Sequence, residues 1–115
     1  MLLAILILHV PAYAKRANIE YPDKVTIGII EYEANYEYSN KAQIAYIEAK
    51  NINTKVILWR KSIYEVLLNP RLEQDVQWVM ITEIKEKSNK LLIHNEKKEI
   101  YSLDLKTLIV KKLNL

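Results

Sequence analysis

The sequence predicts a mainly β fold, drawn as an antiparallel meander. Short apolar runs rich in Ile, Val, Leu and Tyr recur along the chain. Polar clusters of Asn, Asp, Ser and Lys separate them, as turns between strands require. No stretch of the chain carries a sustained helical period.

The 115 residues suit one domain, which buries about two thirds of its unfolded surface. With 50% hydrophobic and 27% charged residues, the composition is that of a folded globular chain. There is no Cys, which excludes a disulfide framework, a thiolate nucleophile and a Cys-based zinc site. The single Gly means that turns needing positive φ must draw on Asn or Asp. The net charge of +3 is uneven: residues 15–49 carry −2, residues 50–84 carry +1 and residues 85–115 carry +4. Such polarity steers weak partners.

Met1 to Val10, MLLAILILHV, is an apolar run interrupted only by His9, and Pro11-Ala12-Tyr13-Ala14 follows. Ala12-x-Ala14 fits the small-x-small pattern before a signal-peptidase cut. The run falls short of the about 20 residues that span a bilayer. Residues 1–14 are therefore read as a signal peptide, although no Lys or Arg precedes the run. The alternatives are an uncleaved anchor or a first core strand, the latter implying a cytoplasmic protein. On the main reading, residues 15–115 form a single β domain exported to the periplasm or cell exterior of a bacterium.

Val25–Ile30, VTIGII, is β-branched and predicts a strand. In Glu31–Tyr38, Tyr32, Ala34, Tyr36 and Tyr38 alternate with Glu31, Glu33, Asn35 and Glu37, the period of a half-buried strand. Ser39-Asn40-Lys41 turns into a strand at Ile44–Ala49, and Asn51-Ile52-Asn53-Thr54 turns again. Val56–Leu68 is long for one strand and predicts a bend or bulge near Arg60-Lys61-Ser62. Asn69 to Asp75 breaks the pattern; Asn69 and Pro70 are suited to start one short helical turn near residues 70–75. Val76–Lys85 predicts a strand, with Trp78, Met80, Thr82 and Ile84 on one face. Turns at 87–90, 95–98 and 104–107 then separate strands at Leu91–His94, Glu99–Leu103 and Leu108–Lys111.

One stretch repeats. Ala49-Lys50-Asn51-Ile52-Asn53-Thr54 aligns with Ser102-Leu103-Asp104-Leu105-Lys106-Thr107 at an offset of 53 residues. In both copies an apolar strand enters, an Asx residue opens the turn, Thr closes it and an aliphatic strand leaves. The copies divide the domain into two repeats, about 25–68 and 76–113, a spacing within the range of propeller blades. With Ile47, Ala49, Asn51, Thr54 and Trp59, the unit resembles the blade repeat of quinoprotein-type (PQQ-like) β-propellers. There an apolar strand, Ala-x-Asp, a Thr-Gly turn and a Trp-ended strand follow one another. Lys55 and Leu108 stand where that repeat has Gly, and Lys112 replaces the second Trp. The resemblance implies antiparallel sheets of propeller-blade type, with Asn51, Thr54, Trp59, Trp78, Asp104 and Thr107 in structural roles. It implies no cofactor, and about two blades fall short of the four that close a propeller. The block Tyr46–Ala49, Trp59, Tyr64–Val66, 69–77 and Asn95-Glu96 is also similar to small exported bacterial proteins of unknown function.

Candidate chemistry is sparse. His94 has no second His for a zinc site once residues 1–14 are removed, and no Ser-His-Asp set follows from spacing. Glu31, Glu33 and Glu37 share a strand face, but alternate strand residues lie roughly 6.6–7 Å apart, too far for a compact cation site. No catalytic residue, metal or cofactor is expected. Tyr32, Tyr36, Tyr38 and Tyr46 form a candidate aromatic platform for a glycan or small ligand. The Lys-rich C-terminal hairpins lack the aromatic interleaving of nucleic-acid binders, so no nucleic acid is expected. A membrane contact is expected only through an uncleaved N-terminus. The function expected is a non-enzymatic binding or assembly module of the cell envelope. Its partner would be a protein or a second copy meeting an open sheet edge, and a small enzyme is the weakest alternative.

Overall fold

The computed structural model describes residues 21–114, so the signal segment expected at residues 1–14 lies outside the described residues. Among the described residues the fold is mainly β: two four-stranded antiparallel sheets and one 3-10 turn at Asp75–Gln77. The first sheet is a meander of β1 (Val25–Ile27), β2 (Ile30–Tyr38), β3 (Ala42–Asn51) and β4 (Ile57–Leu67). The second continues as β5 (Ile81–Lys87), β6 (Lys90–Asn95), β7 (Ile100–Asp104) and β8 (Val110–Leu113). Neighbouring strands follow one another in sequence throughout.

The stretch Val25–Ile30 is a hairpin rather than one strand. Gly28 takes φ 62° and, with Ile29, turns β1 back onto β2, pairing Ile27 with Ile30. Positive φ at the first turn position is where a two-residue hairpin loop favours glycine. The β5–β6 loop is the other two-residue form, with Ser88 and Asn89 both at positive φ. The bend expected in β4 appears as two irregularities. Register shifts lie opposite Ala45/Tyr46 and Ala49/Lys50, leaving Ile63 and Leu58 as extra residues on either side of Arg60–Ser62.

The turns at Asn51 and Asp104 have one hydrogen-bond pattern. Asn51 Oδ1 accepts from the N–H groups of Asn53 and Thr54 at 2.9 and 3.0 Å, and Thr54 Oγ1 accepts from Val56 N–H at 3.3 Å. Asp104 Oδ1 accepts from Lys106 and Thr107 at 2.8 and 3.0 Å, and Thr107 Oγ1 from Ile109 at 3.2 Å. Lys55 and Leu108 then take φ 67° and 61°, so both spend the conformational cost that a glycine would avoid.

Asn69 does open a turn, accepting from Arg71 N–H at 2.9 Å, but the helical turn follows later, at Asp75–Gln77. Gln77 closes this loop on itself: its side chain accepts from Asn69 N–H and donates to the carbonyls of Asn69 and Glu73. The strand expected from Val76 begins only at Ile81. Residues 78–80 instead form an extended strap between the sheets. Val79, Met80 and Ile81 are all buried, with no alternation. Their N–H groups go to three side chains: Gln43 Oε1 at 2.8 Å, Glu96 Oε1 at 2.9 Å and Tyr36 Oη at 2.8 Å. Buried backbone donors need partners, and here side chains stand in for a neighbouring strand.

Both sheets contribute to one core. Tyr32, Ala34, Tyr36, Ala45, Ile47, Ala49 and Ile63 from the first meet Met80, Ile81, Ile84, Leu91, Ile93 and Leu103 from the strap and second sheet. Trp59 packs on this core beside Tyr32, ring centroids 5.8 Å apart. Stacked rings of Tyr64 and Tyr101, 5.3 Å apart, bridge β4 and β7.

Candidate interaction surfaces

Pairing register decides what each sheet shows to the outside. Opposed residues share a face, so Tyr32, Ala34 and Tyr36 lie with Ala49, Ile47 and Ala45 on the inner face. Glu31, Glu33, Asn35 and Glu37 lie with Lys50, Glu48, Tyr46 and Ile44 on the outer face. The four candidate tyrosines are therefore not one platform. Tyr32 and Tyr36 are buried in the core, and burial pushes the Tyr36 phenol up to about 12. Tyr46 is buried on the opposite face, its ring 5.5 Å from the Arg60 guanidinium. Only Tyr38 is exposed, at 41%.

Tyr38 has a different aromatic neighbour. Its ring centroid lies 4.4 Å from that of Trp78 on the strap, and the contact continues to Tyr36 at 6.1 Å and on to Tyr21 at 5.7 Å. In the sequence Trp78 carries the expectation of a structural role alone. Its approach to Tyr38 depends on the strap leaving the strand, for which no local signal exists.

The outer face of the first sheet is a network of charges. Lys24 reaches Glu31 and Glu33 at 3.3 and 3.4 Å, Lys50 reaches Glu31 at 3.9 Å, and Arg60 reaches Glu48 at 3.3 Å. Hydrogen bonding to Glu31 and the charge of Glu33 hold the Lys24 ammonium above its ordinary range. These carboxylates are thus engaged by cations of their own sheet. Among the described residues, no group of three or more His, Asp or Glu is placed to hold a metal ion. His94 lies on the outer face of β6, opposite Glu83 and Ile100.

The sheet edges differ in length. β1 and β8 have three and four residues, whereas β4 has eleven and ends its sheet. Ile57, Leu58 and Leu67 on β4 are 44%, 47% and 77% exposed, and Val56 beside them 56%. A long edge with apolar side chains is a template for strand addition, which Lys61, Arg60 and the two irregularities in register temper.

No protein-family model, curated protein or solved structure matches the chain.

Proposed function

We propose that the chain is a non-enzymatic β domain, exported to the bacterial cell envelope, that binds or assembles with a protein through an open sheet edge. The observation that carries this is the β4 edge, eleven residues long, with Ile57, Leu58 and Leu67 exposed. The order of strands in each sheet and the shared Asx–Thr turn support reading the domain as two blade-like units. The apolar run and Ala12-Tyr13-Ala14 support export. Light scattering on the purified chain, with pull-down from an envelope fraction, tests the proposal. Self-association or capture of an envelope protein is expected, and Leu58→Lys, which places a charge on the edge, should reduce it at least tenfold. A strictly monomeric chain with no captured partner overturns it. Mass spectrometry of the chain from its bacterial host should find Lys15 at the mature N-terminus; retention of residues 1–14 overturns the cleaved leader.

A second reading, a glycan or small-ligand binder, is favoured by the Tyr38–Trp78 contact. Aromatic faces stack on sugar rings, with Tyr21 extending the surface. A glycan array answers it: binding lost in Tyr38→Ala supports the reading, and an unresponsive array removes it.

A further inference from the structure

The outer faces of the two sheets carry opposite charge. On the first sheet, the outward positions hold Glu31, Glu33, Glu37, Glu48 and Glu65 against Lys24, Lys50 and Arg60, a balance of −2. On the second, register places Lys85, Lys87, Lys90 and Lys111 outward against Glu83 and Asp104, a balance of +2 from these residues. The balances understate the contrast, because the ion pairs that form are confined within each face. Among the described residues, the exposed Glu37 and Glu65 are in no ion pair on the first face, and Lys87, Lys90 and Lys111 are in none on the second.

Each face also has an apolar middle. Half-buried Ile44 occupies it on the first sheet, and Leu92 and Ile100, also half-buried, on the second. Sheets stack about 10 Å apart through such faces, and within the chain the inner faces already share one core.

From this complementarity we infer that copies of the chain stack head to tail, the basic outer face of one second sheet on the acidic outer face of the next first sheet. The contact joins two different surfaces, so each copy added leaves a further face open, and association proceeds as a series. It uses outward side chains of the sheets, Glu65 of β4 among them, and not the free backbone edge of β4, so it stands or falls separately from the edge-binding proposal.

Sedimentation velocity on the purified chain over a range of concentrations tests it. Association is expected at about 20 mM salt and should weaken at least tenfold at about 500 mM, where charge screening is nearly complete. Glu37→Lys with Glu65→Lys, or Lys87→Glu with Lys111→Glu, should each leave a monomer. An equimolar mixture of the two double variants restores complementary faces at every contact and should associate again, which also shows that both variants are folded. A wild-type chain that stays monomeric at every concentration overturns the inference. So does association that ignores salt and both charge reversals but disappears in Leu58→Lys, since that result assigns the contact to the edge.

Discussion

The Tyr64 hydroxyl donates to the Val79 carbonyl at 2.6 Å, tying the edge strand of one sheet to the strap that leads into the other. The N–H of the same Val79 donates to Gln43, which is completely buried, on the central strand β3. Both polar groups of one linker residue are thus held by side chains of the first sheet. That fixes how the second sheet hangs from it.

Replacing Gln43 by Leu should cost about 1–3 kcal/mol, because Val79 N–H is left buried without an acceptor. Tyr64→Phe should cost less, about 0.5–1.5 kcal/mol, since the carbonyl loses one donor but the ring stays packed. Both changes act on Val79, so urea unfolding of the double variant should depart from additivity by at least 0.5 kcal/mol, on the order expected for residues sharing a partner.

Lys55 is exposed and sits in the left-handed region without a glycine. Lys55→Gly should raise stability by about 0.5–1 kcal/mol, the left-handed strain relieved less the entropy that glycine adds to the unfolded chain. Leu108 shares the conformation but packs on the core. Leu108→Gly should therefore lose stability, and thermal unfolding of the two variants should move in opposite directions.

The two equivalent turns differ in charge. Asn51→Ala removes two hydrogen bonds and should cost about 1–2 kcal/mol at any pH. At Asp104, the N–H groups of Thr107 and then Lys106 hold the carboxylate below its ordinary range. The Asn95 amide and then Lys112 do the same for Glu99. A folded-state value below the unfolded one gives stability that is full above the ordinary carboxylate range and lost as pH falls through the folded value. Unfolding midpoints should therefore drop on acidification below the ordinary Asp and Glu values of 3.8 and 4.5. Asp104→Asn, which keeps the acceptor oxygen, should flatten part of that fall, and adding Glu99→Gln should flatten it further.

Features of the fold that rest on local chemistry were legible in the sequence. Asx and Thr three residues apart specify the turns at 51–54 and 104–107 through bonds to their own backbone, and alternation along Glu31–Tyr38 specifies β2. The Val25–Ile30 run concealed a hairpin because its apolar residues continue unbroken across Gly28. Long-range features were not legible. The acceptors for Val79, Met80 and Ile81 lie 36, 16 and 45 residues away, so the alternation that suggested a strand from Val76 says nothing of the strap. Tyr46 shows the same limit. One strand's period gives its two faces, but only the register, Asn35 opposite Tyr46, says which face meets Tyr32 and Tyr36. The candidate surfaces inherit this: charges and aromatic residues were visible, and their grouping was not.

The two sheets share one core, are joined at the strap, and present the β4 edge and two charged faces from that frame. Native-state hydrogen exchange at Val79, Met80 and Ile81 tests that joint most directly, because these amides donate to side chains and not to the backbone of a neighbouring strand. Protection matching Ile47 in the first sheet and Ile93 in the second is the result expected. Exchange of the three at the rate of an exposed loop, while Ile47 and Ile93 stay protected, would contradict it.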